Sequence, residues 1–121
     1  MNNKSKSMYD DFEKVKANHV PLSPLSFLPR AANLYPNKDA VVYGNRKYTW
    51  KQCYERCIRL ASSITKLGIT KGDTVSVIAT NTPEMVEAHY GIAMAGAVLN
   101  SINVRLDPDT IAYILDHSEA K

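Results

Sequence analysis

Only two cysteines, five glycines and a single tryptophan occur among the 121 residues, and no long apolar run interrupts them. Each scarcity excludes something. Two cysteines cannot build a disulfide framework. Cys53 and Cys57 stand four apart in a helical pattern, where Cβ atoms lie ~5–6 Å apart against the ~3.5–4.5 Å of a disulfide, so reduced thiols are expected. The glycines never cluster ahead of a helix, so the chain encodes no cradle of consecutive backbone N–H groups for a phosphate. No stretch approaches the ~18 apolar residues of a membrane-spanning helix.

What remains is ordinary globular material, 45% hydrophobic and 22% charged. A chain of this length can bury about two thirds of the surface its unfolded form exposes, which is enough for one modest core. The net charge of +3 is too small to argue for a nucleic-acid partner. Its distribution is uneven. From Arg46 to Lys71 seven basic residues face Glu55 alone, a local balance of +6, whereas from Glu84 to Glu119 six acids face Arg105 alone, a balance of −5.

Residues 1–19 are polar and aperiodic and read as a flexible leader. They lack the apolar core of a secretory signal, and Asp10, Asp11 and Glu13 oppose an acid-poor transit peptide, so a cytoplasmic address is expected. From residue 20 the pattern is regular. Ser23 and Pro24 open a short helix with Leu25, Leu28, Ala31 and Ala32 on one stripe. Residues 40–43 and 46–49 flank Gly44-Asn45 as a hairpin. Thr49-Trp50-Lys51-Gln52 is a capping box for a helix that Gly68 should end in a left-handed conformation. A strand over 74–79, a helix from Pro83 to Gly96 begun by Asn81-Thr82-Pro83-Glu84, and a strand over 97–101 form a βαβ unit. Asp107-Pro108 starts a last helix. The fold class is therefore α/β, with a hairpin and a parallel pair.

The helix from Pro83 carries Met85, Val86, Ala88, Tyr90, Ile92, Ala93, Met94 and Ala95, apolar on more than one side, and such a helix should be covered on more than one side. Three short helices and about four strands supply too little cover, so part of the core is expected to come from elsewhere.

Few residues suggest chemistry. Cys53 and Cys57 could begin a metal site, but His19, His89 and His117 fall on separate elements without ligand spacing, and core packing is the simpler role. His89 has no nucleophile or carboxylate in a recognisable motif, which favours a hydrogen-bonded packing role over acid–base work. The basic face of the helix beginning at Trp50, with Glu55 and Arg59 at i, i+4 spacing, reads as solvated. Arg105 follows a strand end beyond the βαβ unit, where open α/β sheets place ligand contacts; it either forks onto an anion or bridges Asp107 or Asp109.

The order of blocks Pro21-Leu22-Ser23-Pro24-Leu25, Tyr48-Thr49-Trp50, Gly72-Asp73-Thr74-Val75, Asn81-Thr82-Pro83-Glu84-Met85, Ala95-Gly96-Ala97-Val98-Leu99-Asn100, Asn103-Val104-Arg105-Leu106 and Ile111-Ala112-Tyr113-Ile114-Leu115 resembles the start of AMP-forming acyl-CoA synthetases, in particular the short- and medium-chain branch. The likeness runs over residues 20–121. It implies an incomplete amino-terminal subdomain of the large domain of a two-step ligase, which joins a carboxylic acid to ATP as an acyl adenylate and passes the acyl group to coenzyme A. It implies ATP, Mg2+ and coenzyme A as the complete enzyme's cofactors. The phosphate loop, the adenine and magnesium motifs and the catalytic lysine of that family would lie further along, so no catalytic residue is assigned here. The one residue carried over is Arg105, matched to an arginine that can contact a phosphate of coenzyme A. The resemblance leaves open a truncated, non-catalytic module that binds a partner subunit or self-associates through exposed apolar surface.

Overall fold

The computed structural model describes Glu13, residues 15–17 and residues 19–121. Residues 1–12, 14 and 18, most of the expected leader, lie outside the described residues. Ser23 accepts a hydrogen bond from the Leu25 amide through its Oγ, and its carbonyl takes both the amide and the hydroxyl of Ser26. That pattern closes a 3-10 turn, Pro24–Ser26, before helix α1, Phe27–Leu34, so the single helix expected here is two pieces.

Strands β1 (Asp39–Tyr43) and β2 (Arg46–Thr49) form the antiparallel hairpin, with a register irregularity between Asp39 and Val41. Gly44, at φ +56°, takes the first central position of the turn, where a side chain would be strained. Helix α2 (Trp50–Lys66) starts with both arms of its capping box, the Gln52 amide on Thr49 Oγ1 at 3.3 Å and the Thr49 amide on Gln52 Oε1 at 2.9 Å. Gly68, at φ +96°, ends it as expected. Strand β3 (Thr74–Ile78), helix α3 (Pro83–Met94), strand β4 (Val98–Ile102) and helix α4 (Pro108–His117) complete the order. β3 and β4 pair in parallel from Thr74 opposite Val98 to Ile78 opposite Ile102.

Two expectations shift. The second strand of the βαβ unit starts at Val98 because the Ala97 amide still bonds the Ile92 carbonyl (3.2 Å) and so finishes α3. The cap expected at Asn81-Thr82 is not made: Thr82 stands at the N-cap without a side-chain bond to the helix amides, and Pro83 begins the helix without needing one.

Helix α3 lies between two packed groups. On one side Met85, Ala88 and Ile92 join Ile64 of α2 and Ala97, with Val75, Val77 and Leu99 of the parallel pair against them. On the other, Tyr90 and Met94 meet Leu28, Cys53 and Cys57. The thiols are buried and free, as expected; the hydrogen bond they share, and then burial, push the Cys57 thiol up, while the same bond lowers Cys53. Full burial of a side chain such as Leu28 or Ile92 stabilises by about 1.5–3 kcal/mol. The third side of α3, with Val86 and His89, stays exposed, in keeping with a helix that has more apolar surface than this chain covers. Helix α4 buries no residue fully and is tied instead by Asn100, whose amide donates to Ser76 Oγ (2.9 Å) and Ser118 Oγ (3.0 Å).

The opposed charge blocks meet across this architecture. Arg56 of α2 donates to both carboxylate oxygens of Glu87 on α3, at 2.5 and 3.1 Å, and lies over the Tyr48 ring at 4.7 Å from its centroid. Arg46 donates to the Tyr48 hydroxyl (3.1 Å) and pairs with Glu84 on α3. Arg56, a member of the helix face read as solvated, and Arg46 of β2 are therefore the clamp that fixes α3, while among the described residues Glu55 and Arg59 form no ion pair. The sequence separations, 38 and 31 residues, exceed any local spacing rule.

Helices α2 and α3 touch closely at Gly91, where an added Cβ would lie 2.8–3.0 Å from the Leu60 side chain. Gly91→Ala is expected to destabilise by up to about 2 kcal/mol, because overpacking of about 1–3 kcal/mol outweighs the roughly 1 kcal/mol an exposed helix gains from alanine. Urea denaturation checks this, and Leu60→Ala should relieve the penalty in the double variant. Arg56→Ala should cost about 2 kcal/mol by leaving the buried Glu87 carboxylate unpaired, whereas Lys47→Ala, which removes an exposed pair with Asp39, should stay within about 0.5 kcal/mol. Arg46 holds the Glu84 carboxyl down from 4.5 to about 2. A depressed carboxyl contributes stability above its unfolded value and loses it as pH falls, so the Glu84→Gln variant should show a shallower loss of stability between pH 4.5 and 2. Equal acid profiles would remove the clamp from the account.

Candidate functional site

Parallel, in-register pairing puts the carboxyl ends of β3 and β4 side by side, and the chain leaving each end lines a common cleft of about 630 Å³. Thr80 and Asn81 come from the segment after β3, Ser101, Asn103 and Arg105 from the end of β4 and beyond, and Met85 and His89 from α3. This is the edge of an open α/β sheet where ligands are generally received.

Arg105 is placed by its own backbone. Its amide donates to Asn103 Oδ1 at 3.0 Å, a local turn that presents the side chain at the cleft. Neither carboxylate available for the ion-pair alternative takes its guanidinium. Asp107 instead caps α4, accepting the Thr110 amide at 2.9 Å and the Thr110 hydroxyl at 2.7 Å, and those bonds hold its carboxyl below the usual range. Among the described residues Asp109 forms no ion pair either. The Arg105 guanidinium is thus a charged donor with no protein partner among them.

His89 departs from the packing role expected for it. Its Nδ1 lies 2.7 Å from the Met85 carbonyl, but the residue is exposed, and the ring borders both this cleft and an adjoining apolar groove formed with Pro24, Leu25, Val86, Tyr90 and Ala93. Sequence reasoning placed Arg105 beside a strand end but did not bring Asn81 and His89 to it. The signal was present in part: parallel strands imply that residues 80–81 and 103–105 are neighbours, although nothing in the residue spacing turns His89 toward them.

No carboxylate lines the cleft, so its chemistry suits an anionic or oxygen-rich group. His89 and Ser101 share no hydrogen bond, and no nucleophile–base couple is formed there among the described residues. Nor does any group of three or more His, Cys, Asp or Glu among the described residues form a metal site. The described residues contain no helix long and apolar enough to cross a membrane.

Comparison with known proteins places this geometry in a family. Residues 28–121 match the model of the AMP-binding enzymes. Over 112 residues, 93% of the chain, it is 54% identical to a peroxisomal trans-cinnamate:CoA ligase of Petunia hybrida and 52% identical to a peroxisomal benzoate–CoA ligase of Arabidopsis thaliana, covering 20% and 19% of them. A fatty acyl CoA synthetase of Mycobacterium tuberculosis superposes with a TM-score of 0.77 at 33% identity, over 80% of this chain and 20% of that one. The NpsA N-terminal subdomain of Klebsiella oxytoca, at 22% identity, shares the fold over 81% of this chain and 26% of its own, with a TM-score of 0.75. The chain spans about a fifth of the length of the curated relatives it matches. Since the matched region begins at the buried Leu28 and takes in both packed groups, the parallel pair and the cleft, the chain belongs to the AMP-binding enzyme family.

Proposed function

We propose that this chain is the amino-terminal segment of an AMP-forming acid–thiol ligase. In the complete reaction a carboxylate oxygen attacks the α-phosphorus of ATP and pyrophosphate leaves. The coenzyme A sulfur then attacks the acyl carbonyl and AMP leaves. The single observation that carries this reading is the pairing of about 50% identity over nearly the whole chain with relatives named as CoA ligases, together with an apolar α3 that the described residues leave partly uncovered. Relatives named for cinnamate, benzoate and butyrate support a small acid, aromatic or short aliphatic, as the acyl donor.

Residues 20–121 are then an incomplete subdomain whose remaining cover comes from the rest of such an enzyme. Exposed apolar residues on separate elements, including Phe27, Val42, Val98 and Tyr113, support self-association of the chain when that cover is missing. Arg105 is proposed to meet a phosphate of coenzyme A, for which a guanidinium without a protein partner is suited. Magnesium is proposed to accompany the ATP phosphates; the described residues offer no cluster that fits it, and no step is assigned to it here. The peroxisomal names of two relatives favour that organelle over the cytoplasm expected from the leader.

The 121-residue chain should show no acid-dependent exchange of pyrophosphate into ATP, whereas a protein extended to the length of the relatives should. In that longer protein Arg105→Ala should raise the KM for coenzyme A about ten-fold or more and leave exchange unchanged. Exchange by the short chain would move the catalytic groups into residues 1–121, and an unaltered KM would withdraw Arg105.

A further inference from the structure

Two nucleophilic groups lie away from the cleft and have no role in the function above. Cys53 and Cys57 are both buried and free, stand four residues apart on α2, and pack into one group with Leu28. That spacing keeps their Cβ atoms ~5–6 Å apart, more than the ~3.5–4.5 Å of a disulfide, so the intact helix forbids a direct bond. The sulfurs nevertheless face each other, because they share a hydrogen bond. A bridge with one atom between the sulfurs is longer by a bond and fits the helix as it stands. The surroundings decide which atom. A zinc-like cation needs about four ligands, and among the described residues no group of three or more His, Cys, Asp or Glu is placed to hold a metal ion. Trivalent arsenic that already carries one carbon substituent needs only two sulfurs, and its adduct is neutral, as an apolar group of residues requires. The substituent has a place as well. A groove of about 320 Å³ is walled by Phe27, Leu28, Tyr35, Trp50 and Tyr90, and the Leu28, Trp50 and Tyr90 side chains also pack around the thiols. Leu28, 1% exposed, is therefore the partition between an aromatic groove and a dithiol.

We propose that Cys53 and Cys57 form a dithiol site for an arylarsenous compound, the arsenic bridging the two sulfurs and the aryl ring lying in the groove beyond Leu28. The site goes beyond the ligase reading and does not depend on it. Phenylarsine oxide in water carries two hydroxyls on arsenic. Each thiol forms one arsenic–sulfur bond, and its proton leaves with one of the hydroxyls as water. Arsenic stays trivalent, so the step needs neither an oxidant nor a reductant. The aromatic walls give the ring offset and edge-to-face partners. Leu28 has to swing aside to admit the arsenic, so capture leaves α2 helical and loosens α1 from it.

The test titrates the 121-residue chain with phenylarsine oxide in excess 2-mercaptoethanol, following intact mass and the fluorescence of Trp50, the single tryptophan. One phenylarsenic group per chain is expected, held against the monothiol, released by 2,3-dimercaptopropanol and quenching Trp50. Cys53→Ser and Cys57→Ser should each weaken capture by roughly 10²–10⁴-fold, because the second sulfur no longer closes an intramolecular bridge. Methylarsine oxide, which has no ring for the groove, should bind the unmodified chain about ten-fold more weakly. The rate of capture by the unmodified chain should be nearly flat at low urea, as for a local opening at Leu28; this arm does not depend on any variant folding. A rate that follows the denaturation curve overturns the site, since the thiols are then reached only by global unfolding. So does an adduct that 2-mercaptoethanol removes, or a serine variant that binds as well as its parent. Equal binding of the methyl and phenyl compounds overturns the place given to the ring.

Discussion

The contact between α2 and α3 is the constraint on which the rest of the structure depends. At Gly91 the helices approach until no room remains for a methyl group, and about one helical turn away Arg56 and Glu87 lock the same two elements through paired hydrogen bonds. One contact sets the distance and the other the rotation. With α3 fixed, the parallel strands at either end of it have a surface to pack on, and the segments leaving those strands converge on one cleft. The stacked Tyr48 carries the hairpin into the same arrangement, which joins the antiparallel and parallel sheets without a hydrogen bond between their strands.

Most of the architecture could be read from local chemistry. The capping box at Thr49, the positive-φ glycines at positions 44 and 68, and the Pro-initiated helices at 83 and 108 each follow from rules that reach three or four residues along the chain. The failures share one physical cause. Arg56 looked like a member of a solvated helix face, and Arg46 of β2 like one more charge of the basic block, because their partners, Glu87 and Glu84, are brought to them by tertiary packing. The two opposed charge blocks were visible as blocks, but register decides which members pair. His89 failed in the same way: its bond to the preceding helical turn was in keeping with its position, and its exposure arises because the described residues border that side of α3 with a groove and do not cover it.

The cleft combines local and tertiary determinants. Arg105 is aimed by a turn two residues long, and Asp107, the carboxylate nearest in sequence, is occupied by the helix it caps. That division leaves the Arg105 guanidinium without a protein partner among the described residues while a neighbouring acid caps α4. A family match at the level of half identity gives the arrangement its context, and the polar groups of the cleft give that context a chemical shape.

Lys121 is held against the start of strand β3. Its amide bonds the Thr74 carbonyl at 3.0 Å and its Nζ meets Asp73 at 2.7 Å, at the foot of the β3 edge that β4 does not occupy. This contact fills the first rung of that edge and places an ion pair there. Strand recognition along such an edge is a matter of backbone geometry, so it discriminates poorly among sequences. The Lys121–Asp73 pair sets two opposite charges at the start of that edge, a feature that works against indiscriminate strand pairing there.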